Sequence, residues 1–414
     1  MATVLLLTLV FPPDAVSTAH LLGDLAEDLS HMGHYVVVLT TTPHYNQDRE
    51  SREKQQLRPW LGRLVQHSQF RGIDVYHILM PPKGLNQLNR MLSWVFFHIV
   101  SVVLVCWRRF RCDVVLATSP PLTIGLCGAV IALLSRGRAI YNVWELYPDV
   151  AINLGVLKNS AVIRAARFLE ATVYRLNAHV CPIAQGMATK IASRGVPPQK
   201  ITVVPNSVDV QDFRPLPRRN SFSMEFGLDD KFVISYAGNI GSPQGLDTLL
   251  RAANHLRSRK EYLFVMLGDG SEKDAIIALA KQLQLPNFRY LGYQPYSRMP
   301  EIYAACDMSI VAQVSAIGND ALPSKVYRIL SSERPMLVMA DPAGDLALLL
   351  RREKVGIVVS PGRDQEMADT IQWAFSHPEE LREMVDRGRQ LIEANYTRQA
   401  VSKIYSRLVS DVLR

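Results

Sequence analysis

The N-terminal half of the chain alternates between short apolar runs and longer segments with helical periodicity. Val4–Val10 and Tyr35–Thr40 are apolar almost throughout, as in strands buried on both faces of a sheet. Between them, Thr18–Met32 carries apolar residues at helical spacing and ends at Gly33, a favourable C-terminal cap. This strand–helix–strand unit predicts parallel pairing and a doubly wound sheet.

The same alternation continues to residue 204. The further predicted strands are Asp74–Ile78, Val114–Ala117, Ala139–Val143, Val180–Ile183 and Ile201–Val204. The predicted helices between them are Leu122–Leu134, Ser160–Leu176 and Ala184–Arg194.

The alternation stops near Phe213–Ser221, which contains two prolines and shows no regular spacing of apolar residues. This segment predicts a linker at 214–222 between one domain at 1–213 and another at 223–394. A second alternating series follows. Its predicted strands are Phe232–Tyr236, Leu263–Leu267, Phe288–Leu291, Met308–Val311, Met336–Met339 and Gly356–Val359. Its predicted helices are Leu246–Leu256, Ser271–Leu283, Arg298–Cys306, Ser324–Ser332 and Asp364–His377, followed by the amphipathic segment Thr397–Leu413.

The predicted fold class is therefore α/β, with two doubly wound, Rossmann-like domains facing each other across a cleft. In such sheets ligands bind beyond the carboxyl ends of the strands.

Charge and cysteine usage narrow the class of protein. A net charge of +8 and a pI near 9.2 favour anionic partners. Nucleic acid is not expected among them, because the aromatic residues do not interleave with the basic ones.

The five cysteines form no CxxC pair and predict reduced thiols in a cytoplasmic protein. No basic residue precedes the first apolar run, which therefore predicts a strand and not a signal peptide.

Two glycine-rich turns follow predicted strands of the second series. Gly238, Gly241 and Gly245 come after one strand, and Gly268 and Gly270 come after the next. Glycines at such turns let the backbone approach a phosphate closely, but ordinary tight turns use the same residues. From spacing alone, both interpretations stay open.

A third turn, Leu322–Arg328, follows the strand Met308–Val311. Ser324 predicts a helix N-cap, and the new helix would direct its first N–H groups and Lys325 towards a diphosphate. The alternative is an ordinary capped helix with a solvated lysine.

These segments together resemble glycosyltransferase family 4, most closely its bacterial surface-polysaccharide members of the fucosaminyltransferase type. The resemblance covers nearly the whole chain. In the second half it lies in Tyr236–Asp247, Leu267–Gly270, Leu291–Tyr293, Ala305–Asp307, Leu322–Lys325 and Arg334–Pro335. In the first half it lies in Phe11–Asp14, Thr118–Pro121, Trp144–Pro148 and Val204–Asp209.

The resemblance implies a GT-B fold and a retaining transfer of a sugar from a nucleotide-diphospho-sugar, such as a UDP- or GDP-sugar. It implies that the C-terminal domain holds the donor, that the N-terminal domain holds a glycan or lipid-linked acceptor, and that segment 395–414 crosses back to the N-terminal domain. The implied donor-binding residues are Gly238, Asn239, Gly241, Gln244, Gly268, Gly270, Tyr293, Ser324 and Arg328. The expected catalytic residues are Glu145, Asp320 and Lys325, and those expected on the acceptor side are Asp14, Ser17 and His20.

The chain differs from the family at positions where family members usually have charged residues that bind the donor. An Arg and a Lys that usually grip the diphosphate match Asn239 and Gln244, and the family's Glu-x7-Glu pair matches Asp320 and Arg328. We hypothesise that Lys325 and Arg328 supply the missing positive charge. Because the chain contains no Asp-x-Asp, no divalent metal cofactor is expected.

Two carboxylates follow the predicted strand Ala139–Val143. Glu145 is the expected catalytic-side carboxylate, and Asp149 lies one turn further on. A structural ion pair is the alternative explanation for either residue. His20 could equally be a hydrogen-bonded packing residue.

Met91–Trp107 has no charged residue and is flanked by arginines. It is short for a transmembrane helix, so an interfacial helix with basic flanks or a buried core helix is expected instead. Peripheral contact through 91–111 with the inner face of the cytoplasmic membrane would suit a polyprenyl-diphosphate-linked acceptor.

Two other functions remain open at this point. One is a sugar-nucleotide 2-epimerase of the same fold, and the other is a non-catalytic partner that binds nucleotide-sugars. Products formed from donor alone would distinguish the epimerase.

Overall fold

This computed structural model describes residues 1–44, 53, 55–81, 87–108, 111–316, 318 and 322–414. They form two compact units. The first holds Met1–Asn206 together with Arg398–Arg414, and the second holds Ser207–Thr397.

The first unit is built on an eight-stranded sheet of order β3-β4-β5-β2-β1-β6-β7-β8. Its strands are β1 (Thr3–Leu7), β2 (Tyr35–Thr41), β3 (Arg58–Leu61), β4 (Val65–Phe70), β5 (Ile73–Ile78), β6 (Val114–Thr118), β7 (Arg138–Val143) and β8 (His179–Pro182). Its first six helices are α1 (Ser17–His31), α2 (Gln87–Arg108), α3 (Thr123–Ser135), α4 (Asp149–Asn153), α5 (Ser160–Leu176) and α6 (Gln185–Ser193).

The first sheet is mixed, and not wholly parallel as the alternating pattern predicts. Strand β4 runs antiparallel to both β3 and β5, while the other pairs are parallel. The predicted strand Ile201–Val204 is wrong, because Ile201 forms only an isolated bridge with Val180. The central strands β1 and β6 are almost wholly buried, which explains their continuous apolar sequences.

The second unit is built on a parallel six-stranded sheet of order β11-β10-β9-β12-β13-β14. Its strands are β9 (Phe232–Ala237), β10 (Tyr262–Leu267), β11 (Phe288–Gly292), β12 (Met308–Ala312), β13 (Met336–Met339) and β14 (Ile357–Val359). Its helices are α7 (Ser221–Glu225), α8 (Asp247–His255), α9 (Lys273–Gln282), α10 (Met299–Ala304), α11 (Lys325–Ser331), α12 (Asp345–Glu353), α13 (Asp364–Ser376) and α14 (Pro378–Asn395).

The segment expected as a linker, 214–222, lies inside the second unit. Phe213 is buried in that unit's core against Tyr303, and helix α7 already begins at Ser221. The chain instead passes from one unit to the other after Asn206.

The last helix, α15 (Arg398–Asp411), belongs to the first unit. The guanidinium of Arg398 pairs with Asp24, Glu27 and Asp28 of α1. Further along the helix, the Tyr405 hydroxyl donates to Asn142 Oδ1 at 2.9 Å. These contacts attach the C-terminal helix to the first sheet and to its first helix.

Candidate functional site

In the second unit, the order of the strands brings two loops together. Strands β9 and β12 are neighbours, and the strand order runs outward from them in opposite directions. The loops after these strands therefore flank the switch point of the sheet, where open α/β sheets bind ligands. The loop after β9 carries Gly238–Gly245, and the connection after β12 leads to Lys325.

The two glycine-rich turns pack backbone against backbone. Gly238 N–H donates to Leu267 O at 3.0 Å, and Ile240 N–H donates to Asp269 O at 2.9 Å. A Cβ atom placed on Gly268 would lie 1.8 Å from Gly238 O, which no side chain could tolerate. Glycine at this position is therefore required by the close approach of the loops.

The ammonium of Lys325 fills the space that Gly238 leaves open. A Cβ atom on Gly238 would come within 2.4 Å of Lys325 Nζ. The same Nζ lies 4.1 Å from the centre of the Tyr236 ring, whose hydroxyl donates to Asn239 O at 2.6 Å. Burial and the charge of Arg328 lower the pKa of Lys325 to about 7.

Arg328 is a second cation, three residues further along α11. Its side chain is buried, and its guanidinium carbon lies 4.9 Å from the Tyr296 ring centre and 5.4 Å from that of Phe213. Among the residues that the structure describes, neither Lys325 nor Arg328 pairs with a carboxylate. Two cations without an acidic partner favour an anionic ligand over a structural ion pair.

The two amide side chains of the first glycine loop bind to that loop. Gln244 Oε1 accepts from Gly241 N–H at 3.1 Å and from Asn239 Nδ2 at 3.3 Å. We infer that these residues shape the loop and contribute no charge to it.

The other residues proposed for the donor are placed as follows. Ser324 occupies the N-cap position of α11 as predicted, but its side chain makes no capping hydrogen bond. Tyr293 is exposed directly after β11. Gly270 allows no side chain, because a Cβ atom there would lie 2.2 Å from Ile240 O. Asp320 lies outside the described residues.

In the first unit, the switch point lies between β1 and β6. The loop after β1 carries Asp14, which is buried and accepts a hydrogen bond from His44 N–H at 3.0 Å. Ser17 begins α1, and His20 lies half-buried in its first turn. Sequence reasoning missed His44, although its place just after β2 puts it at the same edge of the sheet.

Glu145 and Asp149 have different surroundings. Glu145 is half-buried, and burial raises the pKa of its carboxyl against the opposing effect of a hydrogen bond with Tyr147. Asp149 instead joins an ion-pair network with Arg167 and Arg194, which also contact Glu170. Burial opposes its ionisation, but the two arginines outweigh burial and lower its pKa. Asp149 thus belongs to a structural ion-pair network, whereas the catalytic role of Glu145 stays a prediction.

Comparison with known proteins decides the class of this site. The family model of glycosyl transferases group 1 matches residues 219–391, and that of the glycosyl transferase 4-like domain matches residues 18–207, so that together they match most of the chain. Escherichia coli K12 WcaI, to which a glycosyltransferase role in colanic acid biosynthesis is assigned, is 25% identical over 95% of this chain and 97% of its own length. The chain is a family 4 glycosyltransferase.

Other relatives and structures agree with this assignment. Pseudomonas aeruginosa WbjE, to which glycosyltransferase activity is assigned, is 23% identical over 72% of this chain and 75% of its own length. The crystal structure of Anabaena Alr3699/HepE with UDP-glucose has a TM-score of 0.75 at 15% identity, covering 99% of this chain and 100% of that one. WaaG, a glycosyltransferase involved in lipopolysaccharide biosynthesis, has a TM-score of 0.67 at 13% identity, covering 98% and 99%. These structures establish the GT-B fold of the glycosyltransferase.

We expect the affinity for an anionic donor to fall as the pH rises above about 7, because free Lys325 loses its proton through that pH. A bound diphosphate favours the charged ammonium, so that binding at higher pH takes up a proton. The Kd should then rise by up to about tenfold per pH unit, and stay level below that pH. Calorimetric titration across pH measures this slope.

The control is the Lys325→Arg protein, because an arginine keeps its charge throughout this pH range. Its Kd should not follow the same slope. If the slope persisted in this variant, another group would be responsible for it.

Proposed function

We propose that this glycosyltransferase moves a sugar from a nucleotide-diphospho-sugar to a glycan or lipid-linked acceptor, with retention at the anomeric carbon and without a metal ion. The observation that carries this proposal is the placement of Lys325 Nζ against Gly238, at the switch point of the second sheet. A half-buried ammonium beside bare backbone suits a phosphate, which both groups can bind together.

The relatives support the choice of donor and product. HepE has been crystallised with UDP and with UDP-glucose, and WcaI is assigned to the synthesis of a polysaccharide, colanic acid. On this basis we propose a UDP- or GDP-sugar as the donor and polysaccharide synthesis as the role. Transfer of a fucosaminyl-type sugar is the narrower form of the proposal.

In the proposed reaction, the bond between the anomeric carbon and the diphosphate breaks, and a bond to the acceptor oxygen forms on the same face of the sugar. The proton of the acceptor hydroxyl passes to an oxygen of the departing diphosphate. Negative charge then develops on the departing diphosphate. Lys325 and Arg328 would stabilise it together with the backbone N–H groups of the glycine loops. On the acceptor side, Glu145 would orient the hydroxyl group, with Asp14, Ser17 and His20 lining the acceptor site.

We propose a polyprenyl-diphosphate-linked sugar as the acceptor. The protein would then work on the cytoplasmic side of the membrane, with peripheral contact through 91–111.

We expect sugar transfer to continue in excess EDTA, because the stabilising charges belong to side chains and not to a metal. Purified protein is incubated with radiolabelled UDP- and GDP-sugars and a bacterial lipid extract, with and without EDTA, and the label in the lipid phase is counted. Rates with and without EDTA should agree within about twofold, whereas loss of a metal catalyst would cost several kcal/mol of transition-state stabilisation. Full loss of transfer in EDTA, restored by added Mg²⁺ or Mn²⁺, would contradict the metal-free mechanism.

A further inference from the structure

Helix α2 carries an apolar stripe on its outer side. Five of its members recur every four residues and two others directly follow one of these five, so the stripe lies along one side of the helix. They are Met91, Leu92, Val95, Phe96, Ile99, Val103 and Trp107, which are between 40% and 62% exposed. A core helix would bury such residues, so this face is available to a partner.

The opposite side of α2 packs within the first unit. Phe97, Leu104 and Val105 are buried, and Cys127 of α3 contacts the His98 carbonyl at 3.7 Å. By length and composition Asn89–Trp107 could cross a membrane, with a mean hydropathy of 1.8. Because one side of α2 packs within the first unit, the helix cannot have lipid on all sides, so a position along a membrane surface fits it better than a membrane-spanning one.

Exposed apolar residues also lie on elements that neighbour α2. At the end of α3, Leu133 and Leu134 are 78% and 53% exposed. At the end of α2, the ring of Trp107 lies 6.3 Å from that of Trp60 in strand β3. Tryptophans at the border of an apolar surface are typical of the membrane interface.

The charges around this surface are mostly positive. Residues 75–144 contain seven Lys and Arg but only one acidic residue, Asp113, whose carboxylate already binds Thr3 N–H at 2.7 Å. The exposed arginines on the elements that carry these apolar residues, or just beyond the ends of those elements in the sequence, are Arg58, Arg63, Arg90, Arg111, Arg136 and Arg138. This charge is complementary to anionic lipid headgroups.

The direction of α2 places one end of its apolar stripe near the ligand-binding edge of the first sheet. The helix follows β5 and precedes β6, and both strands run parallel to the central strand β1. It therefore runs back from the carboxyl edge of the sheet, so that Met91 and Leu92 lie towards the edge where ligands bind.

We propose that the apolar stripe of α2, together with Leu133, Leu134 and Trp60, docks the protein onto an anionic lipid bilayer, with α2 lying in the plane of the interface. The inference rests on the proposed membrane-side function and extends it. Docking onto the bilayer would place the acceptor side of the first unit close to a lipid-linked substrate. A second copy of the chain fits less well, because a two-fold contact would bring identical arginines together.

The test is cosedimentation of the full-length protein with vesicles of phosphatidylcholine, alone or with about 30% phosphatidylglycerol. The wild-type protein should bind the anionic vesicles about tenfold more tightly than the neutral ones, and alkaline carbonate should release it. The Ile99→Ser/Val103→Ser protein should lose about tenfold in vesicle affinity. A matched control is Leu348→Ser, which removes a residue 53% exposed on α12 of the second unit and should change nothing.

Several results would overturn the proposal. They are absence of vesicle binding, equal binding to neutral and anionic vesicles, wild-type binding by the double variant, and retention in the membrane after carbonate. A dimer undone by the double variant, without vesicle binding, would assign the surface to a second copy. The melting temperature of the same samples reports whether the protein is folded, and its shift by nucleotide-sugars reports the donor site. Failure of the donor proposal is therefore distinguishable from failure of the membrane-docking proposal.

Discussion

Replacement of Lys325 by alanine is expected to lower kcat/KM for the nucleotide-sugar by a factor of about a hundred to a thousand. Preorganised donors aimed at developing charge contribute on this scale. The ammonium occupies the space beside Gly238, whereas the guanidinium of Arg328 packs against the rings of Tyr296 and Phe213 and cannot take over that position. Initial rates at varied donor concentration, together with calorimetric donor binding, measure the effect.

The control for this change is Lys281→Ala, which removes an exposed lysine of α9 from the same unit. It should leave both parameters within about twofold, as surface substitutions away from special features usually do. Near-normal kinetics of the Lys325→Ala protein would contradict the placement of the diphosphate at Lys325.

Replacement of Gly268 by alanine is expected to disrupt the site through the backbone. The new Cβ atom would lie 1.8 Å from Gly238 O at a φ of +131°, so that the two loops must move apart. We expect a loss of about 2–4 kcal/mol in the free energy of unfolding and at least a tenfold weaker donor affinity. Urea denaturation and donor titration of the same protein measure both effects.

The Gly227→Ala substitution distinguishes the effect of backbone strain at a positive φ from the effect of a steric clash of the new Cβ atom. Gly227 also has a positive φ, of +59°, but a Cβ atom there meets nothing within 4 Å. This variant should cost only about 1 kcal/mol and leave donor affinity unchanged. Equal effects of the two substitutions would show that the contact between the loops has no special role.

The sequence predicted the buried strands well, because each is a continuous apolar run covered on both faces. It missed the hairpin of β3 and β4, whose exposed and half-buried residues show no such run. It also missed α14, whose sequence is rich in charged residues and buries only Leu381, Gly388 and Ile392. Elements that bury only a few side chains show little periodicity of apolar positions in their sequences.

The candidate site could be predicted only in part, for a similar reason. Turns after strands identify Gly238, Gly268 and Lys325 as neighbours, because parallel strands end at one edge of the sheet. Side-chain partners distant in sequence leave no such signal. The contact of His44 with Asp14 and the arginine partners of Asp149 became apparent only from the structure.

Binding of nucleotide-sugars to the intact protein tests the central claim most directly. In a thermal-shift screen, a ligand that binds only the folded state raises Tm by mass action. We predict that at least one UDP- or GDP-sugar raises Tm, that the matching nucleoside without phosphate does not, and that Lys325→Ala abolishes the shift. If no nucleotide-sugar shifted the folded wild-type protein, or if the Lys325→Ala protein kept the full shift, the assignment of the donor site would be contradicted.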